Sequence, residues 1–89
     1  MYVERVMKKF RLTREELFSK EKTSDVVLPR QVLFYLCKNR PMKLIEIKRL
    51  LSKEGFDVEH TTILHGIKVI EKLIVEDKDY SSLIKQLNQ

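Results

Sequence analysis

The amino-acid sequence predicts an all-α fold, a single small domain of five to six helices. Three observations carry that expectation. Only two glycines (Gly55, Gly66) and two prolines (Pro29, Pro41) punctuate the 89 residues, too little turn chemistry for a sheet of many short strands. Apolar residues recur at three- and four-residue spacing along most of the chain. The composition, 43% hydrophobic and 35% charged, is that of a folded domain and not of a disordered tail. A domain of this size buries only about 60–65% of the surface its unfolded chain exposes, which leaves little room for a large internal ligand cavity.

Each element follows from local pattern. Val3, Val6, Met7 and Phe10 share one face of a short first helix. Thr13-Arg14-Glu15-Glu16 has capping-box spacing and opens a second short helix, with Leu17 and Phe18 as its apolar pair. Residues 19–25 are polar and aperiodic, which predicts a loop. Pro29 suits the first turn of a third helix through Val32, Leu33, Leu36 and Cys37. Pro41 ends that helix near Asn39 or Arg40. A fourth helix carries Leu44, Ile47, Leu50 and Leu51, and Gly55 fits the left-handed position just past its end. Residues 56–59 form a short connection. Ile63, Ile67, Ile70 and Ile74 make the stripe of a fifth helix, with Leu64 and Leu73 widening it. Tyr80, Leu83, Ile84 and Leu87 make a last amphipathic stretch. No repeat or linker divides the chain, so one domain is expected over 1–89.

Several function classes are set aside by the residues themselves. One cysteine allows no internal disulfide and no Cys-rich zinc module. His60 and His65 are five residues apart, whereas ligands on one helix face are spaced by three or four, so no metal is expected. Cys37 lies on an apolar stripe, where a thiol is usually an inert packing group. There is no nucleophile elbow and no glycine-rich phosphate loop. The chain is therefore expected not to be an enzyme and to need no cofactor or small-molecule substrate. No apolar run approaches the roughly 18–20 residues of a membrane span, and the N-terminus lacks a secretory apolar core. A cytoplasmic location without membrane contact is expected.

Charge points to a partner. The net charge is +5 and the pI about 9.4. Residues 1–53 hold 14 Lys and Arg against 6 acids, and residues 54–89 hold 4 Lys against 7 acids, so +8 and −3 recover the total. A one-sided basic field favours a polyanion, although solvated helix faces would give the same count.

The fourth helix, short glycine-containing connection and fifth helix have the layout of a helix-turn-helix. In that motif the start of the second helix meets base edges in the major groove. Here it reads Glu59-His60-Thr61-Thr62. Thr reaches a phosphate or a base and offers a methyl to thymine; Glu accepts from cytosine N4. Helix-start N–H groups favour a phosphate nearby. On spacing alone, a capped surface helix accounts for these residues equally well.

Four stretches tip that balance. Residues 59–73, EHTTILHGIKVIEKL, resemble the signature of the C-terminal DNA-binding domain of the bacterial replication initiator DnaA, through His60, Thr61, Thr62, Leu64 and His65. PRQVLFYLCK at 29–38, LIEIKRL at 44–50 and LTREELFSK at 12–20 resemble the family's preceding segments, in order. The resemblance implies sequence-specific binding of double-stranded DNA without catalysis, in a Trp-repressor-like helix-turn-helix. It implies that His60, Thr61 and Thr62 contact the groove and backbone, with Glu59 in place of the family's aspartate. It implies that Arg30 and Gln31 reach DNA from the preceding helix and that Lys38 contacts a phosphate. Lys20 and Lys22 fall in the loop that enters the minor groove in the family, and Leu44 and Ile45 fall at the DNA edge. His65 is expected behind the motif. Arg30 and Thr61 are expected at the surface, so that Arg30→Ala and Thr61→Ala weaken binding without lowering thermal stability.

The departures are specific. The loop Lys20-Glu21-Lys22-Thr23-Ser24-Asp25 has lysines and acids where the family is rich in arginine, and lysine lacks arginine's planar fork. The turn from Ser52 to Val58 is longer than the family's. The family's ATPase module is not in this sequence, which fits either a piece of a longer protein or a stand-alone relative, bacterial or phage. A protein-interaction module that binds another replication protein through the acidic segment 71–79 is the alternative.

Overall fold

The computed structural model describes residues 2–19 and 21–88. They form six α-helices and no strand: α1 (Tyr2–Phe10), α2 (Arg14–Leu17), α3 (Ser24–Asn39), α4 (Leu44–Lys53), α5 (His60–Glu76) and α6 (Lys78–Leu87). The all-α expectation holds element by element.

The local signals explain most boundaries. The α2 capping box is formed: Glu16 N–H donates to Thr13 Oγ1 at 3.1 Å, and Thr13 N–H donates to Glu16 Oε1 at 2.9 Å. Gly55 takes φ +79°. Its N–H donates to Ser52 O, and Phe56 N–H donates to Leu51 O, both at 2.9 Å. That pair satisfies carbonyls the end of α4 would otherwise leave unpaired. The same geometry closes α1, where Arg11, at φ 55°, fills the left-handed position without being glycine.

One boundary differs from expectation. The predicted loop over 19–25 ends early, because α3 begins at Ser24, and Pro29 sits inside the helix instead of in its first turn. Thr23 is the N-cap residue, with Val27 N–H donating to its carbonyl at 2.9 Å. Thr23-Ser24-Asp25 is itself a helix-start composition. The ring of Pro29 removes one donor near Asp25 O, and Asp25 is exposed, so water can satisfy that carbonyl.

α3 is the hub. Val26, Pro29, Arg30, Val32, Leu33, Phe34, Leu36 and Cys37 are all buried, which covers most of its circumference. A helix apolar nearly all round must be surrounded, and α1, α2, α4, α5 and α6 all pack on it, α5 most extensively. α5 comes close because Gly66 lies at the crossing. A Cβ there would stand 2.9 Å from both Gln31 Cγ and Phe34 Cδ2. Ile63, Ile67 and Ile70 complete the α5 side of the core, but Leu64, expected to widen the stripe, is 40% exposed. α6 closes on α1 through Arg5 Nη1 donating to Leu87 O at 3.1 Å and Tyr2 Oη donating to Asn88 Oδ1 at 2.8 Å.

Candidate nucleic-acid interface

The α4–α5 pair is a helix-turn-helix whose turn is plugged into the body of the fold. Phe56, released from α4 by Gly55, packs its ring 6.0 Å from that of Phe18. The Arg30 guanidinium carbon lies 4.8 Å from the centroid of the same ring. Glu54 pairs with Arg14 of α2. Ser52 Oγ donates to Asp57 Oδ1 at 3.1 Å. The turn is therefore an ordered segment with its own side-chain anchors.

Among the described residues nothing covers the start of α5. Glu59 is the N-cap residue, its side chain makes no capping hydrogen bond, and no acid lies in the first turn. Glu59, His60, Thr61 and Thr62 are all exposed. The first-turn N–H groups and the positive end of the helix dipole thus face outward, where an anion is favoured.

Beside this helix start runs an open cleft of about 680 Å³ between α3 and the turn. It gathers Lys22, Arg30, Gln31, Glu59, Thr62 and His65 over an apolar floor that includes Phe34 and Phe56. Residues from three separated segments thus converge, as a shared surface requires. Lys38 is exposed further along α3, about 10 Å up the helix axis from Gln31 at 1.5 Å per residue. Leu44 is half-buried and Ile45 is 44% exposed at the start of α4. Those three, with His60 and Thr61, lie outside the cleft lining. Lys20 lies outside the described residues.

Two expectations about orientation are corrected. Arg30 is not a surface arginine: it is 7% exposed. Its Nε donates to Leu17 O at 2.6 Å and its Nη2 donates to Ser19 O. Burial lowers its pKa from the ordinary arginine value, and Glu21 partly restores it. His65 does not pack behind the motif; it is exposed and lines the cleft one turn beyond Thr62.

Two exposed cations were passed over in the sequence. Lys68 follows Leu64 and His65 on α5 at i+4 and i+3, a spacing legible once Leu64 is placed outside the core. Lys43 is the N-cap residue of α4. Its N–H donates to Glu46 Oε1 at 2.9 Å, but lysine has no acceptor with which to return the cap.

A family model described as the bacterial dnaA protein helix-turn-helix matches residues 3–70. The chromosomal replication initiator proteins DnaA of Rhodopseudomonas palustris (strain TIE-1) and Nitrobacter hamburgensis are each 34% identical to the chain over 85 residues. Those matches cover 94% of the chain and 17% of each relative, so the chain spans about a sixth of the length of the curated relatives it matches. No solved structure matches.

Proposed function

Since the chain belongs to the bacterial dnaA protein helix-turn-helix family, we propose that residues 1–89 are one DNA-binding domain that places the start of α5 in the major groove of a duplex. The observation that carries the reading is the uncovered α5 start beside a cleft that brings Lys22, Gln31, Thr62 and His65 together. Glu59, His60, Thr61 and Thr62 read base edges, with Gln31 at the adjoining wall. Lys22 and Lys38, with Lys20 in the same loop, hold phosphates, and Leu44 and Ile45 pack at the edge of the backbone. The reading contains no catalytic step. Its biological setting is replication initiation, the process named for the relatives.

A second reading has one observation in its favour. Val75 is 87% exposed on α5, with Glu71, Glu76, Asp77 and Asp79 nearby in the chain. That face suits a basic protein partner such as another replication protein, and it lies away from the α5 start. Among the described residues no helix is long and apolar enough to cross a membrane.

Thr61→Ala tests the primary reading. Binding to a cognate duplex weakens by on the order of 1–3 kcal/mol, binding to a scrambled duplex changes little, and thermal stability is retained because Thr61 is exposed. Equal losses on both duplexes would remove Thr61 from base readout.

A further inference from the structure

The buried stripe of α5 leaves a second stripe facing outward. Ile63, Gly66, Ile67 and Ile70 are buried. Thr61, Leu64, His65 and Lys68 are all exposed, at i, i+3, i+4 and i+7, which puts them on one face of the helix. Three of the four are polar, as an outward face requires, and Leu64 is the exception. It is 40% exposed; among the described residues the other exposed large apolar side chains are Ile45, at the start of α4, and Val75, near the end of α5. A single exposed leucine is ordinary on a protein surface, and position is what distinguishes this one. It stands three residues beyond Thr61, about 4.5 Å along the axis at 1.5 Å per residue, on the helix whose start enters the major groove in the reading given above. That groove is about 12 Å wide. Leu64 falls within it, whereas Val75, about 21 Å from Thr61 on the same scale, falls outside.

A hydrocarbon side chain cannot hydrogen-bond a base edge. The apolar group that bases present in the major groove is the 5-methyl of thymine, and cytosine carries only a hydrogen at that position. We propose that Leu64 is a specificity-determining residue, which packs its exposed methyl groups on the 5-methyl of one thymine in the recognised site. This deepens the DNA-binding reading and rests on it.

A cycle of protein and base substitutions tests the contact. Each thymine of a duplex carrying the box usual for the initiator family is replaced in turn by deoxyuridine, which removes only the methyl. Wild type, Leu64→Ala and Thr61→Ala are titrated against every duplex by fluorescence anisotropy. One buried methyl corresponds to about fourfold in affinity. At one position the wild type therefore weakens by about fourfold on loss of the methyl. Leu64→Ala, already weaker on the parent duplex, loses nothing further there, because the two partners of one contact do not add. Thr61→Ala keeps its sensitivity to that methyl. Full additivity of Leu64→Ala with deoxyuridine at every position would overturn the proposal and leave the DNA-binding reading standing. Wild-type protein that binds neither the box nor a random duplex would overturn both.

The wild type also gives a readout that needs no variant to fold. In the complex, nuclear Overhauser effects are expected between the Leu64 δ-methyls and a thymine methyl. Leu64 methyl resonances that stay in place while the backbone amides of residues 60–62 shift would overturn the proposal.

Discussion

Gly66→Val probes the contact on which the shape of the interface depends. Gly66 is buried where α5 crosses α3. A Cβ would lie 2.9 Å from Gln31 Cγ and 2.9 Å from Phe34 Cδ2, whereas carbon atoms in contact prefer about 3.5–4.0 Å. Phe34 is 2% exposed and packed in the core. Even the first added carbon therefore pushes the helices apart by several tenths of an ångström, and valine adds two more. Overpacking of this kind costs about 1–3 kcal/mol. Leaving glycine for valine in a helix returns only a few tenths of a kcal/mol. The net loss is about 2 kcal/mol, which lowers Tm by roughly 8–16 °C in a domain of this size. Urea unfolding and thermal melts followed by circular dichroism read it directly. The same displacement moves Gln31 relative to Thr62, so duplex affinity falls in the fraction that remains folded. A Gly66→Val protein as stable as the wild type would refute the close crossing.

Two further outcomes follow from buried polar groups. The Cys37 thiol is 2% exposed, and burial, slightly offset by Arg40, pushes its pKa up to about 11. The unfolded chain loses this proton near pH 9 and the folded chain holds it, so the stability it contributes is complete below about pH 9. That contribution is lost at about 1.4 kcal/mol per pH unit as pH rises to about 11. Cys37→Ala is less stable at neutral pH but shows a shallower decline over that window; equal slopes in urea titrations would contradict the assignment. Tyr80 Oη is buried with no hydrogen-bond partner among the described residues, and burial followed by Asp77 raises its pKa. Tyr80→Phe is therefore neutral or stabilising, by up to about 1 kcal/mol. A loss of that size in a thermal melt would mean that the hydroxyl has a partner.

Much of the fold was legible because its signals are local. Thr13 and Glu16 announce a capping box by spacing, and that box forms. Gly55 marks the end of α4, and its positive φ is what that position requires. The isoleucines of α5 predict its buried face, with Ile63, Ile67 and Ile70 in the core. Two of the errors share one cause, a signal that depends on packing against other segments. Two helix-start signals compete between Thr23 and Pro29. The proline is the more conspicuous, yet Val26 packs into the interior and carries the helix back to Ser24. Arg30 reads as a surface charge because its carbonyl partners are 11 and 13 residues away and its ring partner lies beyond α4. Leu64 and His65 sit at the edge of a stripe, where small differences in helix rotation decide the side they face. The residues of the candidate site came from the resemblance at 59–73 and in the segments that precede it. What the structure adds is that Lys22, Gln31, Glu59 and Thr62 share one cleft, which no spacing in the sequence specifies.

The central claim is duplex binding through the start of α5. Fluorescence anisotropy tests it most directly, with two labelled duplexes titrated at several salt concentrations. One duplex carries the box usual for the initiator family, and the other is a random sequence of the same length. With three to five phosphate contacts, the account predicts tighter binding to the box and a log–log salt slope between about −3 and −5. Absence of binding to either duplex at low salt would contradict it.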